Sequence, residues 1–551
     1  MQLCLQKMGE KCNFVVVGIL NIHNRMKEYN FFIRLILLFC FFLSTTRFAT
    51  GQEKDGEGVE LELIRQPLRY RGSYEWLKMT GEPDLGMLGM GADFFIVDKL
   101  PNLYLTINTY SAIAGKRPGL ITFGTGVGYL QPLFRSPLSL DAGLFVGGGG
   151  GGGAPDGGGL ITRGHINLAF SMGAVSLFGG YSRLDFPTGE MGSNNVNVGV
   201  AISSQFSTAR RTGPKRQENG SVASLDKTST FRVQITGQNY ISFAGDPVSR
   251  SNESQPQPGD ISLVGVELDH FFHAQWYAAL KLHGAMAGGI DGYMSYLVGV
   301  GFEQPLAGDR LTLDAQLLAG PSGGGGVASG GGGTLQGTVG LSTRLGEAYG
   351  IKAAIGHTFT PGGQLNGTLL EMALSHNFHF YTTAGAHTKT AYRLKESERL
   401  RMFGFELLNR TYWSSSERMD KNGRPYDKAF NLMGFVVSKR IHDHFDLLGA
   451  TNWAYQGSYG AYAEGLLGLR YRYGWNPSWE LRAQALGGAA GGGGIDLGSG
   501  LVYNYSAGLV RHISQNWRLA VSVGQMAGVK GNFKPFFTDI GIVYRFGTIQ
   551  K

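Results

Sequence analysis

The sequence predicts an all-β fold, an antiparallel up-and-down transmembrane β-barrel built from three tandem eight-strand units. Three observations predict it. Apolar residues alternate with small or polar ones along many short segments, as in Val196-Asn197-Val198-Gly199-Val200-Ala201-Ile202, the pattern of a strand whose two faces meet different surroundings. One unit recurs at an offset of about 170 residues. The composition is poor in charge yet near neutral in hydropathy: of 551 residues 16% are charged, 12% aromatic and 87 are glycine, with a mean hydropathy of -0.08. A soluble domain carries roughly a quarter charged residues, and a membrane helix needs a long uncharged run. Alternating strands average the two extremes.

The net charge of +8 forms no concentrated basic stripe, which argues against a nucleic-acid partner. Cys4, Cys12 and Cys40 all precede Gly51, so the remainder can form no disulfide, cysteine zinc cluster or thiol nucleophile. That suits a chain crossing an oxidising compartment. Residues 1–51 divide into an upstream extension and, from about residue 26, a secretory signal. Lys27 and Arg34 supply charge, residues 35–43 the apolar core, and Ala49-Thr50-Gly51 small residues for cleavage before Gln52.

The repeat is anchored on three glycine runs and on what precedes them. Ser139-Leu140-Asp141-Ala142-Gly143-Leu144 leads into glycines 147–153 and 157–159. Thr312-Leu313-Asp314-Ala315-Gln316-Leu317 leads into 323–326 and 330–333, and Glu480-Leu481-Arg482-Ala483-Gln484-Ala485 into 491–494, Gly498 and Gly500. Tyr129-Leu130-Gln131-Pro132-Leu133 likewise matches Phe302-Glu303-Gln304-Pro305-Leu306. Barrel unit 1 is therefore expected over 52–206, a polar linker over 207–229, unit 2 over 230–383, a second linker over 384–400 and unit 3 over 401–551. In unit 2 the strands are expected to begin near Phe231, Ile261, Trp276, Tyr296, Leu311, Thr334, Gly350 and Thr368. The units make either three small barrels or one pooled barrel of about 24 strands around a water-filled channel.

Connections after strands two, four and six are short, as at Gly308-Asp309-Arg310 and Ser514-Gln515-Asn516; those after strands one and five are longer, as at 246–259 and 414–426. Membrane barrels keep short turns on the periplasmic side and long loops outside, which puts both ends of each unit on the periplasmic side.

Period two places Asp141, Arg163, Asp314, Gln316, Arg344, Glu371, Arg470, Arg472, Arg482, Asp539 and Arg545 on the lumen face. Mixed signs in a narrow barrel make an ion-pair plug, whereas in a wide one they line a charge-selective pore. The inward glycines Gly124, Gly126, Gly128, Gly299, Gly301, Gly468 and Gly541 allow strong coiling and favour small barrels. The glycine runs lack the Lys-Ser/Thr of a phosphate loop. They read as flexible extracellular hairpins, which could stack into a sheet that meets surface glycans or other envelope proteins. His270, His273, His283, His442 and His444 show no metal-ligand spacing. His165, Ser375 and His376 are the residues a lipid-acting hydrolase would use, but they have no partners at a repeated spacing. No catalytic residue, cofactor or metal is expected.

The closing segment 536–546, with Ile540, Ile542, Tyr544 and Phe546 on one face, resembles the C-terminal strand of outer-membrane barrels. By strand count, loop asymmetry and signal sequence, residues 60–548 resemble small eight-stranded outer-membrane barrel proteins, written three times. That resemblance implies export through the periplasm to the outer membrane of a Gram-negative-type bacterium, contact with outer-membrane lipid, and a non-enzymatic surface-binding or structural role. A passive, porin-like channel for small hydrophilic solutes and a lipid-modifying enzyme are the other roles such barrels take.

Overall fold

The computed structural model describes residues 60–97, 99–134, 136–211, 225–243, 249–250, 253–256, 261–306, 310–346, 348–383, 389–395, 398–414 and 417–550. The signal segment, the three cysteines and the cleavage point lie outside these residues. So do 212–224 and 384–388 of the expected linkers, most of the loop 246–259 and the turn residues 307–309.

The described chain is β throughout its regular structure. The first group of strands is β1 (Glu60–Leu77), β2 (Leu85–Phe94), β3 (Leu103–Ala114), β4 (Ile121–Pro132), β5 (Leu138–Gly150), β6 (Ile161–Met172), β7 (Val175–Asp185) and β8 (Gly192–Arg211). The second is β9 (Leu225–Phe243), the short pair β10 (Ser249–Arg250) and β11 (Glu253–Pro256), then β12 (Ser262–Phe271), β13 (Trp276–Ala287), β14 (Met294–Pro305), β15 (Leu311–Gly323), β16 (Gly333–Arg344), β17 (Tyr349–Phe359) and β18 (Asn366–Thr383). After β19 (Lys389–Arg393) come β20 (Arg399–Trp413), β21 (Ala429–Arg440), β22 (Phe445–Gln456), β23 (Ala463–Asn476), β24 (Trp479–Gly491), β25 (Leu501–His512), β26 (Trp517–Gly528) and β27 (Phe536–Gln550). Trp276 and Leu311 begin strands where the alternation places them, and the other expected starts in this region fall within two residues except the first, which moves from Phe231 to Leu225.

Antiparallel pairing closes each group on itself. Arg69 of β1 faces Asp93 of β2 on one side and Ser203 of β8 on the other. Arg232 of β9 faces Asp269 of β12 and Asn377 of β18. Gly404 of β20 faces Ser438 of β21 and Arg545 of β27. We refer to these rings as barrels one, two and three. They are not three separate sheets, however. Barrel two is a closed eight-strand sheet by itself, while one continuous hydrogen-bonded sheet contains barrels one and three. β19 pairs along β1 from Glu60↔Arg393 to Ile64↔Lys389, and Gly547 of β27 pairs with Ala209 of β8.

This corrects both sequence expectations, three independent units and one pooled ring. The physical reason lies in strand length. β1 and β18 run 18 residues, β9 19 and β8 20, well past the roughly ten needed to cross a bilayer. The overhang presents open strand edges, which recruit partners. Segments read as polar linker form this overhang and one of its partners: 207–211 extend β8 along β1, 225–229 extend β9 along β18, and 389–393 form β19, which adds to β1.

Inside and outside differ sharply. Along β6 the pattern Ile161-Thr162-Arg163-Gly164-His165-Ile166-Asn167-Leu168 alternates buried and more exposed residues, with Arg163 4% and Ile166 62% exposed. The outward faces carry Leu144, Val196, Val198, Leu317, Ile355, Val523, Ile540 and many like them, all exposed. Exposed aromatics mark both rims: Trp276, Trp479 and Trp517 at the short-turn end, and Trp76, Trp413 and Phe536 at the long-loop end.

Candidate functional site

The lumens hold the densest chemistry of the molecule. Each is closed toward the long loops by apolar side chains. Leu77, Leu85, Tyr110 and Phe186 fill barrel one, and Tyr240, Ile261, Tyr293 and Leu369 fill barrel two. Tyr412, Phe430, Tyr462, Phe533 and Phe537 fill barrel three. Ion pairs and neutral polar side chains lie in the remainder.

In barrel one Arg69 donates to Asp93 at 2.8 Å and to Asp141 at 3.0 Å, and Arg71 lies 3.2 Å from Asp93 and 3.3 Å from Asp141. The Tyr104 hydroxyl donates to Asp141 at 2.7 Å, and His165 Nε2 is 3.6 Å from the same carboxylate. Nearer the long loops, Arg163 donates to Glu75 at 2.9 Å and Ser182 donates to Glu75 as well. Barrel two repeats part of this arrangement. Arg232 donates to Asp269 at 2.7 Å, and the Tyr277 hydroxyl donates to Asp314 at 2.6 Å. Lys281 lies 2.7 Å from Glu371 and 2.9 Å from Glu267, and Lys352 lies 3.1 Å from Glu371 and 3.4 Å from Asp314. Gln316 donates to Glu267 and at 2.9 Å to Tyr277. Barrel three uses arginine. Glu406 accepts from Arg470 at 3.0 Å and Arg482 at 2.9 Å, Arg410 grips Asp539 with two bonds of 2.8 and 2.9 Å, and Arg472 lies 2.8 Å from Asp446. Arg545 joins Glu480 at 3.6 Å.

Two glycines make room for the tyrosines. A Cβ on Gly128 would lie 2.1 Å from the Tyr104 ring and one on Gly301 2.1 Å from the Tyr277 ring. The ring fills the space that the missing side chain leaves.

Of the eleven sequence-predicted lumen residues, Asp141, Arg163, Asp314, Gln316, Glu371, Arg470, Arg472, Arg482, Asp539 and Arg545 are buried inside their barrels. Arg344 is not. It shares the inward parity of Gln336 and Thr338 but sits at the last position of β16, where it is exposed. Residues on the same inward faces were missed: Arg69, Arg71, Lys281, Lys352, Glu406 and Arg410. The signal that finds them is the same period two, extended along β1, β13, β17 and β20. His165 lies in barrel one and Ser375 and His376 lie on β18 of barrel two, so these three are not brought together. His283 is buried against the Thr236 hydroxyl at 2.7 Å, and His270 stacks on Phe231. Among the described residues no group of three His, Cys, Asp or Glu side chains could hold a metal.

The glycine runs have a different setting from the one expected of free hairpins. They meet the β3–β4-type loop of the neighbouring barrel, backbone against backbone, in a cyclic order. A Cβ on Gly119 of barrel one would stand 2.3 Å from the Gly324 nitrogen of barrel two. One on Gly292 of barrel two would stand 2.7 Å from the Gly492 nitrogen of barrel three, and one on Gly460 of barrel three 2.6 Å from the Gly159 nitrogen of barrel one. Ile121, Ala463 and Trp453 form an apolar cluster beneath, with Phe123 and Met294 packed against it. Only glycine permits this approach, and several of these residues also have φ between 60° and 120°, among them Gly119 (φ 83), Gly159 (φ 87) and Gly292 (φ 90).

No family model matches the chain. No curated protein matches it either. Among solved structures it is similar to OccK11 (OpdR) of Pseudomonas aeruginosa, at 11% identity over 89% of this chain and 98% of that one with a TM-score of 0.21. It is also similar to a BenF-like porin from Pseudomonas fluorescens Pf-5, at 7% identity over 89% and 100% with a TM-score of 0.22. A third is a mutant of the ferric enterobactin receptor PfeA of Pseudomonas aeruginosa, at 7% identity over 90% and 81% with a TM-score of 0.27.

Proposed function

We propose that the chain is an integral outer-membrane β-barrel protein that acts as a non-enzymatic, membrane-embedded scaffold. The observation that carries this is its inverted polarity: apolar side chains stand exposed around the strands between aromatic rims, while the charged ones are buried and paired inside. In water such an exterior costs free energy over its whole area, whereas in a bilayer it is the required surface. Lipid is then the principal partner. Glycans or envelope proteins would be met by loops other than the glycine runs, which are engaged between barrels. The reading is tested by reconstitution into phospholipid vesicles. Insertion that protects the strands from added protease and leaves only loops and termini cleavable supports it; complete digestion sinks it.

A second reading, a passive channel for small hydrophilic solutes, is favoured by one feature. The lumen amides of Asn197 and Asn504 are buried and neither their oxygen nor their nitrogen has a protein partner among the described residues. Buried polar groups of that kind are satisfied by water, which this reading places at those levels of barrels one and three. Conduction requires the path to continue past the aromatic closure of barrel three. Planar-bilayer recording separates the readings: steady single-channel steps that survive purification establish the channel, and an electrically silent bilayer containing inserted protein favours the scaffold.

A further inference from the structure

Barrels two and three approach each other at the short-turn end through β18 on one side and β20 and β21 on the other. Inward positions on these strands belong to the lumens, so His376, Phe378 and Phe380 of β18, Arg401 and Phe403 of β20, and Lys439 of β21 stand on the outer faces. Register sets Lys439 beside Phe403, and Arg401 is the next residue along the same face. Lys439 Nζ donates to His376 Nε2 at 3.1 Å and lies 5.3 Å from the centre of the Phe378 ring. Phe380 packs on Phe403 with ring centres 5.7 Å apart, which ties the two barrels together. The charge of Arg401 repels both Lys439 and His376.

This seam therefore gathers two cations and an imidazole on an outer barrel surface. Among the described residues no carboxylate lies within ion-pair distance of Lys439 or Arg401. Everywhere in the lumens a buried cation has an acid beside it; here the imidazole accepts one ammonium proton and the other donors have no anion. Half-buried cations without counter-charge are costly, and a phosphate offers several acceptor oxygens with strong, charge-assisted bonds. The depth fits as well: Phe403 pairs with Phe546 of β27, two residues from Tyr544, which pairs with the rim residue Trp517, and at such a rim headgroups meet aromatic side chains.

We propose that this seam binds the phosphate of an anionic phospholipid headgroup, which bridges Lys439 and Arg401 while an acyl chain lies along Phe378, Phe380 and Phe403. The inference rests on the membrane reading above. It is tested by measuring phosphatidylglycerol retained by the purified full chain in detergent, using native mass spectrometry. Replacing both cations, with Lys439→Gln and Arg401→Gln, is expected to weaken retention about 30-fold, the product of two lost charge contacts. Arg401→Gln alone should weaken it about 5-fold. Arg511→Gln removes a cation stacked 5.0 Å from Trp479 at the same rim and should leave retention unchanged. Equal retention by the wild type and the folded double variant overturns the site, as does equal loss on Arg511→Gln. Inorganic phosphate alone binding the wild type as tightly as phosphatidylglycerol overturns the lipid assignment in favour of a free anion. Failure of the membrane reading is distinct, because the wild type would then fail to insert into vesicles at all.

Discussion

In barrel two, lysines 281 and 352 each lie within 3.4 Å of two carboxylates, and acids outnumber cations on the inward face. In barrel three, Glu406 is shared by two arginines and Arg410 grips Asp539 through two parallel bonds. The backbone rings are alike in strand number and pairing, yet their fillings have different chemistry. Lysine is a compact point charge with three movable donors, and glutamines complete its surroundings, with Gln234 donating to Glu267 at 2.9 Å and to Asp269 at 2.8 Å. Arginine is a planar fork that satisfies two oxygens by itself. What a narrow barrel demands is that its interior be filled and its charges paired. Which cation does so is open to variation.

That comparison is broken most severely by removing a cation. Arg410→Met strands Asp539 and leaves Glu464, 3.7 Å from the guanidinium, without its cation, and should destabilise barrel three by about 4 kcal/mol. Lys281→Met should cost barrel two less, about 3 kcal/mol, because Lys352 still lies 3.1 Å from Glu371. Urea unfolding in micelles, followed by the heat-dependent shift in electrophoretic mobility, reads both. Equal losses would mean that the two networks are equally redundant and would remove the distinction.

Next come the glycines beneath the rings. Gly301→Ala forces a Cβ to 2.1 Å from the Tyr277 ring, and such overpacking should cost about 2 kcal/mol. In barrel three the position that matches Gly301 is Arg470, which faces Gln484 as Gly301 faces Gln316; the glycine two residues before it, Gly468, has no ring to displace, and a Cβ there would meet the backbone oxygen of Ala485 at 2.0 Å. In a Tyr277→Ala background, itself destabilised, Gly301→Ala should therefore cost almost nothing further, whereas no side-chain truncation should lower the cost of Gly468→Ala.

The glycine-run loops supply a smaller, pH-dependent contrast. Equivalent turns bring the Ala154 N–H to Gly151 oxygen, Val327 N–H to Gly324 oxygen and Ile495 N–H to Gly492 oxygen, at 3.1, 3.1 and 3.2 Å. Two residues further on stand Asp156, Ser329 and Leu497, and of these three only Asp156 titrates. Burial pushes the Asp156 carboxyl up to about 6, against bonds from the backbone that hold it down; the Gly151 N–H donates to it at 2.7 Å. A carboxyl raised in the folded state is stabilised by its protonated form. The loop should thus gain protection as pH falls from 7 through 6 and lose it on the way back. Amide exchange of residues 151–159, corrected for intrinsic rates, should slow at pH 5 relative to pH 7, with no such change at 324–332, which carries no titrating side chain. Asp156→Asn should abolish the difference.

The smallest effect is expected at the bridge between the two compared barrels. Lys421 of barrel three pairs with Asp291 of barrel two, but the lysine side chain is 40% exposed. Lys421→Ala should change stability by less than about 1 kcal/mol, and the glycine contacts should keep the loops together. A larger loss in the same unfolding measurement would show that ion pairs, not backbone contacts, join the barrels.

What depends on neighbours one or two positions away is legible in the order of the residues. Alternation located the strands and told inward Asp141, Glu371 or Arg482 from outward Leu144 or Ile540, because a strand turns successive side chains to opposite faces. It failed at Arg344 because parity says nothing about where a strand leaves the barrel wall. Tertiary structure alone decided three things. It decided that β1 closes on β8, β9 on β18 and β20 on β27, with the contact of β27 with β8 joining two rings, since backbone hydrogen bonding is identical for any strand of suitable length. It decided which acid each cation meets, since partners such as Arg410 and Asp539 are 129 residues apart. And it decided that the glycine runs face a neighbouring barrel, since a residue without a side chain carries no pattern that names what lies against it.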